Sequence, residues 1–477
     1  MKPLIVQLEK GNILQHINPL KRQFSPIQLV VMSYLIVILL GAIFLAMPFA
    51  SRTGQSTNFV DSLFTSTSAV AVTGLVVKDT STYWSLAGQI IILILIQIGG
   101  VGYITVFTFF MLVFQGKVTL KQEMMLQETL NNPTIKEIMK LARHIFYFVI
   151  IFEVAGAIIL FLRFLEPVTF SPFIINLSNL SFSNIMYSAW LGLFHSLAAF
   201  NNAGFDLTGN FKSFTNYVTD PIINITVTSL IILGGIGFFV LSDMYKTFRG
   251  RQPKLSYHSK IAIAATIFLI LTGTLLVFIL EYDNPKTIGN LNLPGKAMAS
   301  YFLSVTSRTA GFNTIATGAL TNATLLFIIA LMFIGASPGG TGGGIKTTTA
   351  TAIFYYIKSM INRKNTVEIG NRRIPYDAVN KAVTILVISI TFIFFMTLIV
   401  SSIEPFAFVR VLFEVVSAYG TVGLSTGITP FLSPISKLLI AFTMYAGRVG
   451  ILSIILIFSM QLRRGKVLLP QEELTVG

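Results

Sequence analysis

The sequence predicts an all-α integral membrane protein made of four repeated units, each with two spanning helices around a shorter re-entrant helix. Of its 477 residues, 53% are hydrophobic and 11% are charged, whereas soluble domains are about one quarter charged. Apolar runs of roughly 20 residues, long enough to cross a bilayer, recur along the chain. A shorter stretch with a shared glycine recurs four times between these runs, which indicates internal repetition.

Seven apolar segments are continuous spanning candidates, namely 27–47, 84–114, 141–165, 221–241, 261–280, 378–403 and 438–462. An eighth begins near Leu325, is interrupted at 335–344 and resumes at Ile345, because its glycines and Pro338 do not sustain a regular helix. Pairing successive spans predicts repeats over 27–114, 141–245, 261–361 and 378–462.

Charge sets the expected orientation. The net charge of +15 comes from basic residues placed between apolar spans rather than on one folded face, so nucleic acid is not an expected partner. The ends 1–26 and 463–477 and the basic loops 115–143, 246–260 and 358–381 are therefore predicted to be cytoplasmic. Cysteine is absent and only four histidines occur, which argues against disulfides and a zinc site.

The four short stretches, 61–75, 190–205, 297–312 and 410–424, align without gaps on a shared glycine. Those glycines are Gly74, Gly204, Gly311 and Gly423, and an aromatic residue precedes each by ten positions. Further glycines follow 24 to 30 residues downstream, at Gly99, Gly234, Gly335 and Gly447. Close packing of helices accounts for these downstream glycines.

A helix of about ten residues cannot cross the hydrocarbon, so each short stretch must enter and return, with its backbone facing water or protein. Its C-terminal end carries partial negative charge at membrane depth, which favours a cation. The carbonyls that follow are candidate ligands for a monovalent ion, since no ring of acidic residues aligns with them. The predicted filter residues are Val72, Thr73, Gly74, Asn202, Ala203, Gly204, Thr309, Ala310, Gly311, Thr421, Val422 and Gly423.

Each unit is thus a predicted helix–pore-helix–helix motif, and eight transmembrane helices with four pore helices are expected to surround one pore with pseudo-fourfold symmetry. The alternative is that the shared glycines only permit close helix packing. A membrane enzyme is disfavoured because no catalytic constellation is visible. A passive structural bundle gives no reason for four re-entrant glycine turns.

The chain resembles the Ktr and Trk potassium transporters, most closely the pore-forming membrane subunit of the Ktr type. The resemblance covers nearly everything from Ile27 onward. Its specific marks are the four single-glycine filters, the run Arg308-Thr309-Ala310-Gly311-Phe312, the broken helix with its run of glycines at 339–344, and Arg448 in the last helix. Trk-type subunits carry two further N-terminal helices, for which 26 residues leave no room at about 1.5 Å per residue.

This resemblance implies potassium uptake, sodium-dependent, across the bacterial inner membrane, with no cofactor bound by the chain. It also implies a homodimer docked on a ring of cytoplasmic nucleotide-binding regulatory subunits of the RCK type. A Trk-type transporter or a less selective monovalent cation channel stays open as an alternative, because only the central filter glycine recurs in all four copies.

The broken helix is expected to form a gating loop beneath the filter, since non-helical backbone at membrane depth must face protein or a water-filled cavity. The predicted gate comprises Gly335, Ser337, Pro338, Gly339, Gly340, Thr341, Gly342, Gly343, Gly344, Lys346 and Arg448. A packing kink is the alternative. A phosphate-binding loop is excluded because Ile345 separates Gly344 from Lys346.

Four further polar residues receive structural expectations. Arg448 is expected to face the pore or contact the loop, the alternative being a structural ion pair. Arg308 is expected to pair with Glu153 or Glu414 and brace the filter. Asp61 is expected to cap its pore helix, and His195 is expected to serve packing.

Overall fold

A computed structural model describes residues 26–102, 135–165 and 182–459 of the chain. The described part is mostly helical, with one two-stranded antiparallel hairpin, Val367–Ile369 and Arg372–Ile374. Apart from Pro26, the predicted cytoplasmic ends 1–26 and 463–477 lie outside the described residues, as does most of the loop 115–143.

Three successive helices recur within the predicted units, and we call them outer, short and inner. The first unit has Pro26–Ala46, Phe59–Ala71 and Leu86–Val101, and the second has Ile135–Phe164, Phe182–Phe200, and Pro221–Gly235 continued by Phe238–Phe248. The third has Tyr257–Glu281, Leu293–Thr306, and Asn322–Phe333 continued by Thr347–Ile361. The fourth has Tyr376–Ile403, Phe408–Gly420, and Pro434–Val449 continued by Ile451–Ser459.

Within the described residues, three outer helices are long and apolar enough to cross a membrane, over Arg143–Phe164, Tyr257–Glu281 and Tyr376–Ile403. A fourth crossing is possible if the two pieces of the second inner helix, which meet at 98°, count as one. Large apolar side chains face outward, as at Phe268 and Leu271, each 64% exposed. Such a surface suits lipid rather than water, and the chain is a multi-pass membrane protein.

The inner helices are more broken than the sequence predicts. The segments 84–114, 221–241 and 438–462 were expected to be continuous, yet the helices end at Val101, Gly235 and Val449. In each case a second glycine, three residues after the downstream glycine named above, adopts a positive φ, 81° at Gly102, 101° at Gly237 and 89° at Gly450. A residue in this region cannot continue a right-handed helix, so the prediction of continuous inner helices is wrong.

A serine–glycine contact joins the short helix to the outer helix in three units. The pairs are Ser66 with Gly41, Ser196 with Gly156, and Ser304 with Gly273. Each serine hydroxyl donates to the carbonyl three residues before the glycine, at 2.7 Å for Ile38, 2.6 Å for Glu153 and 2.9 Å for Ile270. A Cβ on any of these glycines would collide with the serine oxygen, so glycine lets the two backbones approach.

The inner helices approach the short helices equally closely. A Cβ on Gly99, Gly234 or Gly447 would overlap the carbonyl oxygen of Val70, Phe200 or Tyr419 respectively, near the end of each short helix. These downstream glycines therefore serve close packing, as predicted. The third copy differs, because Gly335 lies against Gly343 within its own loop.

The predicted cap at Asp61 is wrong. Asn58 occupies the cap position of the first short helix, and its side chain accepts a 2.8 Å hydrogen bond from the Val60 amide. Asp61 instead forms ion pairs with Lys437 at 2.8 Å and Lys78 at 3.6 Å. It thereby joins the first short helix to the last inner helix.

Candidate functional site

The turns after the four short helices share an unusual backbone conformation. The residue two before each glycine has a positive φ, namely Val72 at 58°, Asn202 at 59°, Thr309 at 83° and Thr421 at 50°. The glycines themselves have φ of 91°, 68°, 80° and 91°. A non-glycine residue in this region costs roughly 1–3 kcal/mol and persists only where its surroundings determine it, typically at functional sites.

The four glycines form one closed ring. A Cβ built on Gly74 would lie 2.5 Å from the Ala203 carbonyl oxygen, one on Gly204 would lie 2.7 Å from that of Ala310, and one on Gly311 would lie 2.5 Å from that of Val422. The ring closes because a Cβ on Gly423 would overlap the Thr73 carbonyl oxygen. Each turn therefore contacts the next in sequence order, and the last contacts the first.

Hydrogen bonds to the short helices hold three of the turns alike. The amide of the residue before the glycine donates to a carbonyl five residues back, with Thr73 to Ser68 at 2.7 Å, Ala203 to Ala198 at 2.7 Å, and Val422 to Ser417 at 2.8 Å. This is a Schellman-type helix end, which suits a left-handed residue.

The third turn is built differently. Its short helix ends at Thr306, whose carbonyl accepts from the Ala310 amide at 3.0 Å and whose hydroxyl donates to the Phe312 carbonyl at 2.7 Å. The sequence alignment of the four stretches did not indicate this earlier helix end, because Arg308 stands three residues before its glycine, as Ala71, Asn201 and Gly420 do.

The loop 335–346 lies directly against this ring. The Gly343 amide donates to the Thr421 hydroxyl at 2.8 Å, and a Cβ on Gly342 would overlap the Thr309 hydroxyl. Both threonines are the left-handed residues of their turns. The glycines of the loop thus permit contact with two filter candidates that a side chain would prevent.

Hydrogen bonds fix the other side of the loop to the broken second inner helix. The amides of Ser337 and Thr341 donate to the carbonyls of Gly235 and Gly234 at 3.0 and 3.1 Å. The Phe238 amide donates in return to the Gly339 carbonyl at 3.0 Å. The second and third inner helices, both interrupted, therefore satisfy each other's free backbone groups. Backbone polar groups within the hydrocarbon region need such partners because no water is available there.

The two ends of the loop are joined at its base. The Gly335 amide donates to the Ile345 carbonyl at 2.9 Å, and the hydroxyls of Ser337 and Thr347 are 2.9 Å apart. The ammonium of Lys346 folds back onto the Gly342 carbonyl at 2.6 Å. The loop is therefore compact, and the contacts between its two ends, Gly335 with Ile345 and Ser337 with Thr347, form its stem.

Arg448 connects this loop to the first unit. Its guanidinium donates to the carbonyls of Thr341 and Gly99, with a longer contact of 3.5 Å to the carbonyl of Gly100. Among the ion pairs of the described residues, none involves Arg448. The contact with the loop was expected, and the alternative of a structural ion pair finds no partner in that part of the chain.

The predicted pairing of Arg308 with Glu153 or Glu414 is wrong. Glu153 accepts from the amides of Gln97, at 3.1 and 3.2 Å, and Asn201, at 2.9 Å. Asn201 lies three residues before Gly204, so Glu153 braces the second turn.

Glu414 braces the segment that follows its own turn. It accepts from the Ser425 hydroxyl at 2.7 Å, the Thr426 amide at 2.8 Å and the Thr429 hydroxyl at 2.8 Å. Each carboxylate is thus satisfied within reach of its own turn. Neither is left to pair with the guanidinium of another unit.

His195 serves packing, as predicted. Its Nδ1 lies 2.8 Å from the Leu191 carbonyl oxygen, and its Nε2 accepts from the Leu207 amide at 3.1 Å. Its ring also packs beside Phe214, with 5.0 Å between centroids. The histidine thereby ties the second short helix to the segment that follows Gly204.

The chain is similar to known cation transport proteins. A family model described as TrkH, cation transport protein, matches residues 13–469. Ktr system potassium uptake protein B of Bacillus subtilis is 36% identical over 98% of this chain and 100% of its own length. Potassium/sodium uptake protein NtpJ of Enterococcus hirae is 34% identical over 96% of this chain and 98% of its own.

A solved structure shows the same fold. The crystal structure of the potassium transporter TrkH from Vibrio parahaemolyticus superposes with a TM-score of 0.68 at 16% identity, over 92% of this chain and 86% of that one. The matched family and relatives are membrane transport proteins rather than enzymes. The chain belongs to the TrkH family of cation transport proteins.

Proposed function

We propose that this protein takes up potassium ions through the ring formed by its four glycine turns. The closed ring is the observation that carries the proposal, because it brings together four strained turns that have positive φ at the same two positions. Positive φ at alternate residues lets consecutive carbonyls face one side of an extended segment, where they replace the water shell of a cation. The names of the relatives support potassium as that cation.

The loop 335–346 is the proposed gate, and Arg448 is its latch. The loop contacts the left-handed residues of two turns. The guanidinium of Arg448 bridges the carbonyl of Thr341 in the loop and the carbonyl of Gly99 in the first inner helix. Lys346 adds a second positive charge at the loop stem. Two cationic side chains beneath a cation filter oppose conduction until they move.

A less selective cation pathway is the second candidate. The left-handed residues carry two hydroxyls, one amide and one apolar side chain, so the ring is not chemically symmetric. Fewer equivalent ligands reduce the discrimination between potassium and sodium. Uptake of ⁸⁶Rb⁺ into liposomes, measured against competing K⁺ and Na⁺, distinguishes the two candidates, since a selective filter gives inhibition by K⁺ alone.

The assembly follows the Ktr pattern in our proposal. The chain forms a homodimer in the bacterial inner membrane with both ends cytoplasmic, its transport depends on sodium, and a ring of RCK-type nucleotide-binding subunits regulates it. The loops 246–260 and 358–381, the latter bearing the hairpin with Arg372 and Arg373, offer basic surface for that ring.

Gly311→Ser tests the filter. The serine Cβ would lie 2.5 Å from the Val422 carbonyl oxygen and would adopt a φ of 80°. Gly54→Ser is the matched control, because Gly54 has a φ of 68° with nothing within 4 Å of its Cβ position. We expect Gly54→Ser to restore growth of an uptake-deficient bacterium on low potassium and Gly311→Ser to fail. Equal growth of the two strains at equal membrane abundance contradicts the proposal.

A further inference from the structure

Arg308 is a buried cation without a carboxylate partner. It is 7% exposed, lies three residues before Gly311, and makes one long hydrogen bond of 3.4 Å from Nη1 to the Thr266 carbonyl. In the described ranges 26–102, 135–165 and 182–459, no ion pair includes it. Buried charges in proteins are otherwise paired, because removing an ion from water costs several kcal/mol.

Two polar atoms here are also unsatisfied. The Nε of this guanidinium and the Thr266 hydroxyl are both buried and have no hydrogen-bond partner among the described residues. Both residues line a small, partly open cavity of about 10 Å³, between the second inner helix and the third outer helix. A cavity of roughly 10–15 Å³ holds a single particle of the size of water.

The chemistry of this cavity favours an anion over water. The guanidinium Nε only donates hydrogen bonds, and the threonine hydroxyl can donate a second. The other side chains around the cavity, including Ala336 at the start of the loop, are apolar. A water in this cavity could accept from Nε and donate to the Thr266 oxygen, but it would leave the positive charge uncompensated, whereas a halide needs only donors and also neutralises the buried charge.

We propose that Arg308 and Thr266 form a binding site for one halide-sized anion behind the third glycine turn. This site goes beyond the proposed potassium uptake and does not depend on it. A bound anion supplies the counter-charge that the sequence suggested Glu153 or Glu414 would supply. It also lets a permanent cation lie close to a cation pathway, and it explains why the third turn accommodates an arginine where the others have Ala71, Asn201 and Gly420.

Anomalous diffraction from crystals of the full chain grown in bromide tests the proposal. We expect a bromide peak within hydrogen-bond distance of Arg308 Nε and Thr266 Oγ1. The absence of a peak there at saturating bromide, with a water in its place, overturns the proposal.

Two substitutions at Thr266 give a matched comparison that leaves the arginine in place. Thr266→Val removes the hydroxyl at nearly constant volume, and Thr266→Ser keeps it. We expect Thr266→Val to weaken bromide binding by roughly tenfold or more, as loss of a hydrogen bond to a charged group predicts, and Thr266→Ser to bind as wild type. Arg308→Gln should abolish binding. Wild-type bromide occupancy in Thr266→Val contradicts the assignment even if Arg308→Gln fails to fold.

Discussion

Arg448→Ala should open the gate. In the structure the guanidinium holds the carbonyls of Thr341 and Gly99 together, and each hydrogen bond from a charged group contributes about 1.5–3 kcal/mol. Loss of both removes about 3–6 kcal/mol from the latched state.

This magnitude sets the expected change in transport. Taking the lower figure of about 3 kcal/mol, the ratio of released to latched protein rises roughly 100-fold, because each 1.4 kcal/mol is tenfold. Uptake of ⁸⁶Rb⁺ into liposomes containing only this chain should increase accordingly, up to the limit set by the open filter.

Arg448→Lys is the control for this prediction. It keeps the positive charge, but its single ammonium does not reproduce the fork of the guanidinium that reaches two carbonyls. Its uptake rate should therefore lie between those of the wild type and Arg448→Ala. If Arg448→Ala transports no faster than wild type, at equal incorporation into the liposomes, the latch is refuted and Arg448 has only a structural role.

Two other substitutions test the packing. Gly273→Ala should lower the free energy of unfolding by about 1–3 kcal/mol, because its Cβ collides with the Ser304 hydroxyl; Ser304→Ala in the same chain should restore part of this loss in detergent denaturation, and no rescue would refute the contact. Glu414→Gln should lower stability by a similar amount, since its amide group would face the Thr429 or Ser425 hydroxyl and compete for partners that now donate to a carboxylate. An unchanged melting temperature would show that these hydrogen bonds contribute little.

The glycines of the ring could be predicted because each stands at the same position within a repeated local sequence pattern. A glycine is needed wherever φ is positive and another backbone lies in contact, and both conditions hold at Gly74 and its three counterparts. The shared spacing therefore identified the four glycines that meet in the ring before any contact between units was known. The contact of Arg448 with the loop followed similarly, since an isolated charge in an apolar helix requires nearby backbone or side-chain partners.

The breaks in the inner helices could not be predicted in the same way. The second inner helix breaks beside the loop of another unit, where the Pro338 carbonyl oxygen lies 2.5 Å from the position of a Cβ on Gly237 and the Phe238 amide donates to the Gly339 carbonyl. The sequence of the segment 221–241 does not indicate that the loop 335–346 packs against it. Single glycines also occur in continuous membrane helices, so the sequence signal was strong only where several glycines and a proline coincide.

The partners of the buried charges depend on distances between units. Glu153 lies three residues before Gly156, the glycine that contacts Ser196, and Arg308 lies three residues before Gly311. Their opposite charges alone suggested that they would pair. The structure satisfies Glu153 with Gln97 and Asn201 instead. Amide partners for a carboxylate leave no charge signature in a sequence, which is why this arrangement was missed.

Potassium uptake through the ring requires that the four backbone turns surround one cation. Anomalous diffraction from crystals grown in rubidium or thallium salts can locate that ion. We expect a peak on the axis of the ring, surrounded by the carbonyls of Thr73, Ala203, Ala310 and Val422. A ring without cation density at saturating salt, with the ions bound elsewhere in the protein, would contradict it.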